Sequence, residues 1–160
     1  MCCIIRAMVM EETLSRIRSV ASSDGERAAR ARQIADAIRA LGAYRWVGVY
    51  DVGAELVSIM AWSGPSAPAY PSFPVTKGLT SSAIREKSAI VAGDVRSDPR
   101  YLTAFGSTLS EIIIPILDRR DPRVIGTIDV ESEMANAFSD LDRKSLQECA
   151  DAAFALWIAA

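Results

Sequence analysis

The chain changes its hydrophobic period twice, and the changes divide it into parts. Over the first forty residues apolar positions recur at helical spacing. Leu14, Ile17 and Val20–Ala21 share one face of a first helix, and Ile34, Ile38 and Leu41 recur at i, i+4, i+7 in a second. Ser22-Ser23-Asp24-Gly25 breaks one from the other, and Gly42 stands where the second stops. From Tyr44 the period becomes two. Tyr44–Val52 and Glu55–Trp62 are predicted strands joined through a turn at Gly53. Four prolines within Gly64–Pro74 demand loop or extended chain, and Gly78–Ser88 has helical character. A short strand, Ala89–Ala92, precedes a turn over Gly93–Pro99 and an irregular, lid-like piece over Arg100–Gly106. Glu111–Leu117 and Arg123–Ser132 form a second predicted hairpin. Ser139 then caps a C-terminal helix with Asp140 and Asp142 in its first turn. Leu146, Cys149/Ala150, Ala153 and Trp157 make its apolar stripe, flanked by Phe154 and Ile158.

This order predicts one α+β domain: a central antiparallel sheet with the N- and C-terminal helices on one face and a loop-covered pocket on the other. Residues 1–43 supply the N-terminal helices and 44–160 the core with its C-terminal helix. Alternation along the strands sorts the faces. Val47, Val49, Ile112, Ile114, Ile116, Ile128 and Val130 belong under the helices. Trp46, Tyr50, Glu111, Asp129 and Glu131 share the opposite face. Two large aromatics and three carboxylates beneath long loops make a pocket for a small cationic or zwitterionic molecule. A plain solvated face, its acids serving solubility, would show the same pattern.

Composition removes several alternatives. The 160 residues suit one domain, and 18 basic against 20 acidic side chains leave a charge of −2, which recruits neither nucleic acid nor an anionic membrane. The Arg-rich helices carry acids among their arginines and read as solvated surface. There is no histidine, so histidine-based triads and histidine metal sites are excluded. Cys2, Cys3 and Cys149 fit neither a disulfide framework nor a CxxC site. The apolar opening of ten residues is half of a membrane span, and Glu11-Glu12 follow where a signal cleavage site would sit. These points place the chain in the cytoplasm, with no cofactor. The apolar N-terminus and the Phe154/Ile158 flank exceed what one sheet face covers, and predict a homodimer through helices.

Several stretches carry a resemblance. Gly93-Asp-Val-Arg-Ser-Asp-Pro-Arg-Tyr101 and Ile125-Gly-Thr-Ile-Asp-Val-Glu-Ser132, followed by Phe138-Ser-Asp, resemble a GAF domain, a PAS-like fold. Trp46-Val-Gly-Val-Tyr50, Pro74-Val-Thr-Lys-Gly-Leu-Thr-Ser-Ser-Ala83, Ser110-Glu-Ile-Ile-Ile-Pro-Ile116 and Asp129-Val-Glu-Ser132 are similar to the free methionine-R-sulfoxide reductases, stand-alone GAF enzymes that use cysteine thiols. The resemblance implies an amino-acid pocket with Trp46, Tyr50, Glu111, Asp129 and Glu131, the last replacing the family's Asp. It also implies that the family's three cysteines fall at Tyr70, Thr80 and Ala104, so that Tyr70 and Thr80 join the ligand-binding set. Sulfoxide reduction needs an attacking thiolate and a resolving thiol, which these side chains cannot supply. The expectation is a non-catalytic small-molecule sensor module. A divergent reductase-like enzyme and a ligand-free dimerisation module are the alternatives.

Overall fold

A computed structural model describes residues 3–158. Helices α1 (Cys3–Ala21) and α2 (Arg27–Arg39) are followed by strands β1 (Trp46–Val52), β2 (Leu56–Ser63) and β3 (Ser72–Pro74). Then come α3 (Gly78–Glu86), β4 (Ile90–Ala92), a 3-10 turn over Val95–Ser97, β5 (Ser110–Leu117) and β6 (Val124–Ser132). The chain finishes with α4 (Asp140–Ala153) and α5 (Ala155–Ile158). The six strands form one antiparallel sheet in the order β3-β2-β1-β6-β5-β4.

The sheet has one closely packed face. Val47, Val49, Ile112, Ile114, Ile128 and Val130 are fully buried beneath Ile17, Ile34, Ile38, Leu146 and Cys149 from the helices. This is the alternation predicted above, and it fixes the strand register, because a slip of one residue would turn these side chains out of the core. Pro115 is tolerated in β5 because β4 pairs only with Glu111–Ile113, which leaves the edge beside Pro115 unpaired.

Local chemistry sets the helix ends. The Ser139 hydroxyl accepts from the Asp142 amide while the Asp142 carboxylate accepts from the Ser139 amide, a complete capping box. Arg30, expected on a solvated surface, is instead buried, and its guanidinium donates to the Ala21 carbonyl at 2.9 Å, closing the C-terminus of α1. Arg27 binds both Asp51 carboxylate oxygens at 2.7 Å and the Leu156 carbonyl at 2.9 Å, tying α2 to β1 and to the C-terminal helix.

Three expectations shift. The first strand begins at Trp46, and Tyr44 stacks on Phe138 at 5.9 Å on the helical side. Part of the Pro-rich segment pairs as β3 along β2. The C-terminal helix breaks at Phe154, so Trp157 turns onto β6, where a Cβ at Gly126 would lie 2.3 Å from its ring. Phe154 is accordingly buried, with the Arg119 guanidinium 4.2 Å above it, and offers no exposed flank. Cys2 lies outside the described residues. Among those described, no helix is long and apolar enough to cross a membrane.

Candidate functional site

The second face of the sheet carries the site. In the central register Trp46 pairs with Glu131, Gly48 with Asp129, Glu111 with Glu131 and Ile113 with Asp129. Alternation therefore aims Glu111, Asp129 and Glu131 to one side, and they are only 8%, 4% and 2% exposed. Glu111 stands directly across from Glu131, and Asp129 is two residues further along β6.

Few polar partners reach these acids. The Thr127 hydroxyl donates to Asp129 at 2.6 Å, the Thr80 hydroxyl from α3 also donates to Asp129, and the Thr108 hydroxyl donates to Glu131. Among the described residues Glu111 has no hydrogen-bond partner, and no Lys or Arg side chain lines the cavity. Burial raises all three carboxyls, and repulsion from acidic neighbours adds to it at Asp129 and Glu111. Asp129 is pushed up to about 7, its two hydroxyl partners opposing the shift. Glu131 is likewise raised to about 7 by burial, with Thr108 and the more distant Arg45 pulling it down. Glu111 is raised well above the usual carboxylate range by burial and then by its two acidic neighbours. Burial and the same three acids push the Tyr50 phenol well above its ordinary value.

Six of the seven sequence-predicted residues meet here. Tyr50, Tyr70, Thr80, Glu111, Asp129 and Glu131 line one cavity of about 30 Å³, together with Phe73, Gly78, Leu79, Leu102 and Ala104. All three positions where the resemblance puts cysteines, Tyr70, Thr80 and Ala104, are on this lining. Trp46 is not. It is buried behind Tyr50, ring centroids 6.3 Å apart, with its indole nitrogen donating to the Ser66 carbonyl at 3.1 Å. Gly48 lets the two rings converge, since a Cβ there would lie 2.3 Å from Trp46 and 2.7 Å from Tyr50.

Sequence reading missed Phe73, Leu79, Leu102, Thr108 and Thr127 as parts of the site. Thr127 had a signal, because it alternates with Asp129 on the same strand face. Thr108 had none, since it reaches Glu131 from an irregular loop.

The arrangement suits some chemistry and not other chemistry. Buried carboxylates without a basic neighbour attract a cation or hold protons, and Tyr50, Tyr70 and Phe73 add aromatic surface beside them. Among the described residues no group of three His, Cys, Asp or Glu side chains is arranged to hold a metal ion. Cys149 lies on the helical side of the sheet, fully buried, its thiol pushed up to about 12 by burial.

The chain is similar to known proteins over most of its length. It is 24% identical over 139 residues to GAF domain-containing protein A of Dictyostelium discoideum, covering 86% of this chain and 85% of that protein. The free methionine-R-sulfoxide reductase of Neisseria meningitidis, solved with its substrate, superposes with a TM-score of 0.82 at 26% identity, covering 94% of this chain and 89% of the other. The type II free methionine-R-sulfoxide reductase of Thermoplasma acidophilum gives 0.73 at 31% identity, covering 82% and 94%. Residues 26–156 match the GAF domain family, and the chain belongs to that family.

Proposed function

We propose that this GAF domain is a non-catalytic sensor module that binds an amino-acid-like or otherwise cationic small molecule on the Glu111–Asp129–Glu131 face. The observation that carries the reading is the buried, unpartnered Glu111 facing two further buried acids with no basic side chain on the cavity wall. Such a cluster is costly when empty, and an ammonium group offsets that cost. Tyr50, Tyr70 and Phe73 supply apolar and cation–π surface for the rest of the ligand, and Trp46 supports Tyr50 from behind.

The similarity to sulfoxide reductases supports an amino-acid ligand, while the cavity wall supports binding without turnover. Tyr70, Thr80 and Ala104 present no thiol, and Cys149 is across the sheet. A thermal-shift screen of free amino acids, methionine sulfoxide, polyamines and cyclic nucleotides tests the reading. Stabilisation by an amino acid or an amine is the expected result. Cysteine-dependent turnover of methionine sulfoxide with dithiothreitol or thioredoxin would replace it with the reductase reading.

The same proposal includes a homodimer through helices. The N-terminal half of α1 exposes Ile4 (69%), Ile5, Met8 (67%) and Val9 beside a groove of about 350 Å³ that Met10, Leu14, Leu41 and Leu141 line. Arg6 and Lys144, with Glu11 and Glu148, also line that groove, so a two-fold axis can set basic side chains of one copy against acidic ones of the other. Sedimentation as a monomer at micromolar concentration would contradict it.

A further inference from the structure

The cavity is too small for the ligand its walls suit. A volume of about 30 Å³ holds a single water, whereas ligand pockets run to about 300 Å³ and more. One wall must therefore move, and the fold identifies which. The floor consists of β1, which carries Tyr50, and of β5 and β6, which carry the acids, each paired along both edges at those positions. Helix α3 is pinned by Leu79 and Ala83 against Ile90, Ala92, Val95 and Ile113.

Phe73 is held in β3 by its pairing with β2, and Tyr70 immediately precedes Pro71, whose carbonyl accepts from the Ile59 amide at 2.8 Å. The remaining wall is Leu102 and Ala104, in a stretch with neither helix nor strand. Its two ends are fastened. The Tyr101 amide donates to Asp98 at 3.1 Å and the Leu109 amide to Ser132 at 2.8 Å, and the Leu109 carbonyl accepts from Val95 at 2.9 Å. Between these points, among the described residues, 102–107 make no backbone–backbone hydrogen bond. What holds them down is side-chain packing, chiefly Phe105. Its ring sits 5.3 Å from Trp46, and the Arg45 guanidinium sits 5.3 Å from its centroid. Arg45 is itself held by Glu133 at 2.6 Å.

We infer that residues 102–107 are a lid over the acidic cavity and that Phe105, clasped between Trp46 and Arg45, is its latch. The inference rests on the binding reading above for its purpose, but not for its test. Release of Phe105 lets Leu102 and Ala104 lift from the carboxylates as one short flap, hinged between the Tyr101 and Leu109 hydrogen bonds. Glu133 sets the hold of the latch from outside, by keeping the Arg45 guanidinium over the ring.

The experiment uses the full chain without ligand. Thr80→Cys places a thiol on the fixed α3 wall facing the cavity, and its alkylation by iodoacetamide is followed by peptide mass mapping, with buried Cys149 as the internal reporter of global unfolding. Phe105→Ala in this background is expected to speed labelling at position 80 at least tenfold while Cys149 stays at its original rate. Glu133→Gln, which unties Arg45 and also weakens the acceptor that faces the Ser107 hydroxyl of the lid, is expected to speed it about two- to fivefold, and it decides the matter if Phe105→Ala does not fold. Unchanged labelling at position 80, or equal acceleration at Cys149, overturns the lid. Failure of every amino acid and amine to bind would remove the binding reading while leaving this result standing.

Discussion

Glu111 and Glu131 face each other directly across β5 and β6, both buried, with no basic side chain on the cavity wall beside them. Opposed like charges on a sheet are unfavourable even at a surface, and burial multiplies the cost. The fold tolerates the pair because the carboxyls hold protons at a pH where surface carboxylates do not.

That gives stability an unusual pH dependence. Asp129 and Glu131 are raised from ordinary carboxylate values to about 7, so between about pH 4 and 7 the folded state binds more protons than the unfolded one. Stability from these groups is fully present below the unfolded value and is lost as pH rises through 7, levelling above it. Asp94, exposed and lowered to about 2 by Arg96, acts in the opposite sense, but only at pH below about 4. Urea denaturation at pH 5, 6, 7 and 8 should show a midpoint that falls across this range. A flat or rising midpoint would mean that the trio is ionised throughout.

Asp129→Asn tests the same repulsion by substitution. The Thr127 hydroxyl can still donate to the amide oxygen, so the local hydrogen bond survives while a buried carboxyl is removed. At pH 8 the melting temperature of the empty protein is expected to stay level or rise by roughly 2–4 °C, the change about 1 kcal/mol produces at this length. Any ligand-induced shift should shrink. A clearly lower melting temperature with the ligand shift intact would make Asp129 a structural acid.

Gly48→Ala probes the aromatic support of the cavity. The added methyl would meet the rings of Trp46 and Tyr50 at 2.3 and 2.7 Å, and such overpacking costs about 1–3 kcal/mol. Gly106→Ala meets nothing within 4 Å and serves as the control. Equal denaturation midpoints for the two variants would show that the rings give way freely.

Much of this was legible because two simple periods organise the chain. Alternation alone put Val47, Ile112 and Ile128 beneath the helices and Tyr50, Glu111 and Asp129 on the other face, and Ser139 announced its helix by capping chemistry. Long-range geometry was not legible. Nothing local says that Arg30 closes α1, that Gly126 makes room for Trp157, or that Thr108 reaches Glu131 from a loop. Trp46 shares its strand face with Tyr50, yet its bulk turns away behind Gly48, and alternation cannot see that.

The central claim is that the acidic face captures a cationic ligand, and Glu111→Gln tests it most directly. Glu111 has no hydrogen-bond partner to lose among the described residues, so the variant keeps the fold while removing a carboxyl that a bound cation would hold ionised. Melting temperatures of both proteins are measured at pH 8 against free amino acids, methionine sulfoxide and polyamines at millimolar concentration. The account predicts that at least one compound stabilises the wild-type chain and that Glu111→Gln loses most of that shift. A screen with no shift in the wild type, or a shift that survives in Glu111→Gln, contradicts it.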